Sequence, residues 1–134
     1  MRNILAMLID DDETNIFINE KILKIAYPDM KFLSFSNALD ALKYLSDADK
    51  TMPDMIFLDL NMPRMNGWDF ITKYEFLNLE NTFLFVLSSS DEEIDQERAL
   101  KSLKVNGYLS KPLMIDDIEQ IINEFDFVTV ELAA

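Results

Sequence analysis

Short apolar runs alternate with longer amphipathic stretches along this chain, and that alternation restricts the fold more than any other feature of the sequence. Ile4–Ile9, Lys31–Phe35, Asp54–Leu58, Asn81–Leu87 and Val105–Leu109 read as strands. Between and after them lie five helical patterns. The first runs from about 13 to 26, with Asp12 or Thr14 as N-cap, Ile16, Leu23 and Ala26 on its buried stripe, and Pro28 ending it. The second is capped by Ser36 or Asn37 and carries Ala38, Leu42 and Leu45 on one face. The third follows Asn66 and runs from Gly67 to about Leu79. The fourth has Asp91, Glu92 and Glu93 in its first turn, where carboxylates complement the helix dipole, and the fifth covers Ile115–Phe125. The fourth strand is apolar almost throughout. Five strands alternating with five helices therefore predict an α/β fold built on an open parallel sheet.

At 134 residues, the chain supports one domain with a sizeable core. We place that domain at 1–126 and treat 127–134 as a C-terminal tail, in which Val128, Val130 and Leu132 alternate as in a strand while Ile122, Phe125 and Leu132 suit a helix continuation. With no cysteine, disulfides, thiolate catalysis and cysteine-bound zinc are excluded. With no histidine, any chemistry must run on carboxylates, hydroxyls and lysines. The net charge of −13 repels phosphate backbones and argues against direct nucleic-acid binding. No run approaches the roughly 20 apolar residues of a membrane span. The run Ile4–Ile9 is too short for a signal peptide and ends in acids, so the expectation is a soluble, cytoplasmic protein.

In a parallel sheet all strand C-termini lie on one edge, and ligands bind there. The first strand ends in Asp10, Asp11 and Asp12, the third in Asp59, and the fourth in Ser88, Ser89 and Ser90, while the fifth leads to Lys111 and Pro112. Clustered carboxylates do not all ionise without a compensating charge, and a hard cation bound through oxygen, Mg2+ or Mn2+, supplies one. Lys111 and a serine hydroxyl would clamp phosphoryl oxygens, and Asp59, alone at the end of its strand, is the candidate nucleophile for a phosphoryl group. Each residue also has a plainer reading. An acidic triplet is more often a solvated capping run, which Asp12 retains. Ser88 to Ser90 contain at least one ordinary turn residue, and Tyr108 reads equally well as core.

Four motifs, LIDDD, FLDLNMPRMNG, VLSSS and YLSKPL, stand in order at strand ends. In this the chain resembles a response-regulator receiver domain of two-component signalling, from Asn3 to Phe125. The resemblance implies a flavodoxin-like, doubly wound five-stranded sheet of order 2-1-3-4-5 with five helices. It implies Asp59 as phospho-acceptor and a Mg2+ site (Mn2+ as substitute) formed by Asp10, Asp11, Asp59 and the backbone carbonyl of Asn61, with Asp11 the direct ligand and Asp10 acting through water. Ser88 and Lys111 would meet the phosphoryl group, Lys111–Pro112 would be cis, and Tyr108 would follow the movement of Ser88. Asn61 and Ser90 would tune dephosphorylation. Serine in place of the more usual threonine at 88 predicts a less sharply two-state switch.

The implied donor is a partner histidine kinase or histidine phosphotransfer protein. No output domain follows in the sequence, so the expectation is a stand-alone receiver that signals through protein–protein contact with a downstream target, without nucleic acid or membrane. The tail is placed to pack on the fold or serve a homodimer. A competing class, a small Mg-dependent aspartate-based phosphatase or phosphotransferase, is disfavoured because Asn61 stands where such enzymes carry a second acid and because no cap domain is inserted. A binding module that never accepts phosphate is disfavoured by the intact set Asp10, Asp11, Asp59, Ser88 and Lys111.

Overall fold

The computed structural model describes residues 3–60, 67–88, 97–98, 101–102 and 104–124. Asn61, Asn66, Ser89, Ser90, the acids 91–93 and the tail 127–134 lie outside the described residues. Five strands, β1 (Leu5–Ile9), β2 (Lys31–Phe35), β3 (Met55–Asp59), β4 (Phe83–Ser88) and β5 (Val105–Ser110), form one parallel sheet of order β2-β1-β3-β4-β5. This is the doubly wound, flavodoxin-like architecture expected. Four helices are described: α1 (Glu13–Ala26), α2 (Ala38–Leu45), α3 (Gly67–Glu75) and α4 (Ile115–Glu124). The helix expected from 91 falls mostly outside the described residues, of which Glu97 and Arg98 are helical.

Period-two alternation divides the core into two layers. Met7, Ile9, Ile56, Leu58, Leu84 and Val86 face α2 and α3, meeting Ala38, Ala41, Leu42, Leu45, Phe70, Ile71 and Tyr74. Ala6, Leu8, Met55, Phe57, Phe85 and Leu87 face α1 and α4, meeting Leu23, Ile118 and Ile121. Every residue of β3 is buried, as a central strand covered on both faces requires.

Local chemistry sets the helix ends. Asp12 caps α1 by accepting a hydrogen bond from the Thr14 amide at 2.9 Å. Asn37 caps α2, its side-chain oxygen accepting from the Asp40 backbone amide at 2.8 Å while its side-chain NH2 donates to the Asp40 carboxylate at 2.9 Å. The third helix was expected to reach Leu79 and stops at Glu75. There the Phe76 and Leu77 amides turn back to Lys73 and Tyr74, three residues earlier, and Asn78 takes a left-handed φ of 55° that no helix continues through.

The chain runs from β1 outward to β2 and then returns to β3 on the other side of β1. The order therefore reverses between β1 and β3, and the crevice at their C-terminal ends is where such sheets bind ligands.

Candidate functional site

The pleat alone brings two carboxylates together. Asp10 continues the alternation Ala6, Leu8, and Asp59 continues Met55, Phe57, so both stand on the α1/α4 side of adjacent strands at one edge. Asp59 is the last residue of β3, one beyond the expected strand end, and pairs in register with Leu87 of β4. Asp10 and Asp59 are each only 3% exposed, whereas Asp11 at the mouth of the crevice is exposed. One carboxylate oxygen from each of the three lies within 4.8 Å of the others.

Main-chain hydrogen bonds hold these residues in place. The Asp10 amide donates to the Phe35 carbonyl at 3.1 Å, and the Leu60 amide donates to the Leu87 carbonyl at 3.1 Å, which fixes the backbone on the far side of Asp59. The Lys111 amide donates to the Ser88 carbonyl at 2.9 Å and so joins the ends of β4 and β5. The Lys111–Pro112 peptide is cis, as expected.

The Lys111 ammonium enters the crevice from the side, 3.1 Å from Asp59 Oδ1 and 3.8 Å from Asp10 Oδ2. Among the described residues, one cation thus faces three acids. The structure records the remaining conflict in Asp10. Burial pushes its pKa up, the negative charges of Asp59 and Asp11 push the same way, and the Asp12 amide with the Lys111 ammonium oppose them. The Asp12 amide is taken up by Oδ1 at 2.9 Å, while Oδ2 is buried with no hydrogen-bond partner among the described residues. A buried carboxylate oxygen with no hydrogen-bond partner among the described residues, within an all-oxygen donor set, fits a hard divalent cation of the Mg2+ or Mn2+ type.

Ser88 is completely buried at the end of β4 and pairs in register with Ser110. By alternation it follows Leu84 and Val86, on the α2/α3 side of the sheet rather than the side of Asp59. Tyr108 pairs with Val86, is half-buried, and packs against that same layer. The structure therefore brings Asp10, Asp11, Asp59 and Lys111 together and sets Ser88 and Tyr108 on the adjoining face. Asn61 and Ser90 lie outside the described residues.

Sequence reasoning passed over Gly67, treating it only as a segment boundary. Its amide donates to the Leu60 carbonyl at 3.0 Å, and a β-carbon there would stand 2.6 Å from the Leu60 Cα. A glycine eight positions after the acid, in a chain with only two glycines, was the available signal.

Residues 6–123 match the family model for the response regulator receiver domain. The chain is 31% identical over 109 residues to the sensor histidine kinase CheAY of Helicobacter pylori, covering 81% of this chain and 13% of that protein. It is 25% identical over 126 residues to sporulation initiation phosphotransferase F of Bacillus subtilis, covering 93% of this chain and 95% of that one. A two-component response regulator from Cytophaga hutchinsonii superposes with a TM-score of 0.84 at 30% identity, covering 92% of this chain and 98% of the other. Several curated relatives are much longer, and the chain spans between 7% and 56% of the length of four of them. With the matched span covering both halves of the sheet and all four residues of the crevice, the chain belongs to the response regulator receiver domain family.

Proposed function

We propose that Asp59 accepts a phosphoryl group from a phosphohistidine on a partner kinase or phosphotransfer protein, and that the phosphorylated domain signals by protein–protein contact. The observation that carries this reading is the crevice itself: three carboxylates with oxygens within 4.8 Å and a lysine 3.1 Å from the one at the end of the central strand. The chain has no histidine of its own to carry the donor phosphate.

In the transfer, an Asp59 oxygen attacks phosphorus in line and forms the new O–P bond. The P–N bond to the donor imidazole breaks, and the imidazole nitrogen leaves with that electron pair and takes up a proton. Asp10 and Asp11, with Asp59 and the main-chain carbonyl of Asn61, would hold a divalent cation, which supplies positive charge to the phosphoryl oxygens when bound. Lys111, 3.1 Å from Asp59, supplies a second positive charge. Phosphorylation adds roughly 1.5 to 2 negative charges at neutral pH. That charge draws on Lys111 and on the Ser88 hydroxyl, and a shift of Ser88 frees space on the face where Tyr108 packs. Asn61 and Ser90 are both small and polar, a choice of residue that would suit access of the water that later hydrolyses the acyl phosphate. On this reading the domain catalyses only its own phosphorylation and dephosphorylation. The acidic surface, and described helices none of which is long and apolar enough to cross a membrane, suit a cytoplasmic role with protein partners.

The test is incubation with acetyl phosphate and Mg2+, followed by intact-mass measurement and mapping of the modified residue. The expected result is a single added phosphoryl group on Asp59, lost in Asp59→Asn and on removing Mg2+ with EDTA. Equal modification of Asp59→Asn would overturn the assignment.

A further inference from the structure

We infer that Gly67 is a positioning residue for the cation site: its missing side chain lets the two ends of the segment after Asp59 close against each other. The inference rests on the reading of Asp10, Asp11 and Asp59 as a divalent-cation site and adds a residue that touches neither cation nor phosphate. Leu60 and Gly67 bound residues 61–66, and they meet directly. The Gly67 amide donates to the Leu60 carbonyl at 3.0 Å, while the Leu60 amide is bound to the Leu87 carbonyl of β4 at 3.1 Å. Leu60 is thus held by the sheet on one side and by the start of α3 on the other.

A β-carbon at 67 would stand 2.6 Å from the Leu60 Cα, 2.7 Å from Leu60 Cδ2 and 3.1 Å from the Asp59 carbonyl oxygen. Contacts under 3.0 Å to backbone are not relieved by a rotamer change. Either α3 or the Asp59–Leu60 backbone must move. Gly67 is buried at the start of α3, whose Phe70, Ile71 and Tyr74 are embedded in the core. The helix is held by three large side chains and the strand end by its bond to Leu87, so the two share the strain and part of the displacement falls on Asp59 and Leu60. A cation site tolerates little of this, because ligand oxygens must sit within a few tenths of an ångström of their places. Gly67 therefore sets where the Asp59 carboxylate stands and where the chain leaves it.

Gly67→Ala, Leu60→Ala and the double variant test this, with Leu45→Ala as a destabilised control remote from the crevice. Mg2+ affinity is read from the amide NMR shifts of Asp10, Asp59 and Ser88, independently of phosphorylation. Gly67→Ala is expected to weaken Mg2+ binding at least tenfold, and Leu45→Ala to leave it unchanged. The double variant is expected to stay weak, since trimming Leu60 removes its Cδ2 and leaves its Cα in place. Wild-type affinity in folded Gly67→Ala, or restoration by Leu60→Ala, would overturn the inference. If Gly67→Ala loses its fold in buffer, the titration is made in trimethylamine N-oxide, which favours the compact state, and the same outcomes apply. Absence of Mg2+ binding in the wild type would instead refute the cation-site reading, so the two failures are distinguishable.

Discussion

Two buried oxygens have no hydrogen-bond partner among the described residues, Asp10 Oδ2 at the edge of the sheet and Tyr74 Oη beneath α3. Both have raised pKa values, and burial is the leading cause for each. Their surroundings differ. Asp10 shares its crevice with two other carboxylates and one lysine, so its unmet demand is for positive charge. Tyr74 stands in an apolar layer with its ring stacked on Phe70 at 5.6 Å, and no charge is in question. The same lack of a partner is thus a binding property at the edge and a by-product of packing in the interior. A carboxylate can recover its desolvation cost by taking a cation. A phenol in an apolar layer has nothing to take, and survives because the ring contributes more than the hydroxyl costs.

The largest effect should come from removing what makes the interior site tolerable. Phe70 is fully buried and stacked on the Tyr74 ring. Phe70→Ala should cost about 3–5 kcal/mol in urea denaturation, the usual range for a large aromatic truncated in a core. A cost below ~1 kcal/mol would mean that the layer collapses onto Tyr74 and is not rigid there.

The edge site responds to a cation instead. Mg2+ at a hundred times its Kd should stabilise the wild type by about 2.7 kcal/mol. Asp10→Asn should behave in the opposite sense. Because the folded pKa of Asp10 is raised, its carboxylate detracts from stability at neutral pH; the loss begins as pH rises above the ordinary value of 3.8 and is complete once pH has passed the raised value. Without divalent cation the variant should be more stable than the wild type at pH 7, and with saturating Mg2+ it should fall below it. Thermal unfolding with and without EDTA reads both signs. A variant less stable than wild type in EDTA would show that Asp10 is satisfied in the fold.

The edge was far more legible in the sequence than the interior, and the reason is geometric. Strand alternation is short-range, so LIDDD and FLDLN already require Asp10 and Asp59 to end their runs, and parallel pairing then puts them on one edge. The sheet order and the cis bond before Pro112 came through the family resemblance. What was missed depends on distances between segments. Nothing in GWDFITKYE tells a tyrosine with a free hydroxyl from one whose hydroxyl finds a partner, because that depends on how close α3 lies to the sheet. The contact of Gly67 with Leu60 was hidden for the same reason, as was the opposite facing of Ser88 and Asp59, which follows only once both strand ends are fixed. The early stop of α3 was in principle readable in Asn78, a residue that tolerates the left-handed region.

The smallest effect, and the most specific, belongs to the hydroxyl of Tyr74. Burial pushes its pKa to about 12 from an ordinary value of 10.0. The folded protein therefore keeps the proton over a range in which the unfolded chain releases it. The stability contribution is fully present below pH 10 and is lost as pH rises toward 12, by about 1.4 kcal/mol for each unit of displacement. Tyr74→Phe removes that dependence and keeps the ring. At pH 7 it takes away an oxygen that makes no hydrogen bond to the described residues, so the change should lie within about 0.5 kcal/mol of zero. Between pH 10 and 11 the variant should lose less stability than the wild type, while other titrating groups affect both proteins alike and cancel in the difference. Urea denaturation of the pair at pH 7, 10 and 11 measures this. A loss above ~1 kcal/mol at pH 7 would show that the hydroxyl has a partner after all, and the two orphaned oxygens would then no longer be of different kinds.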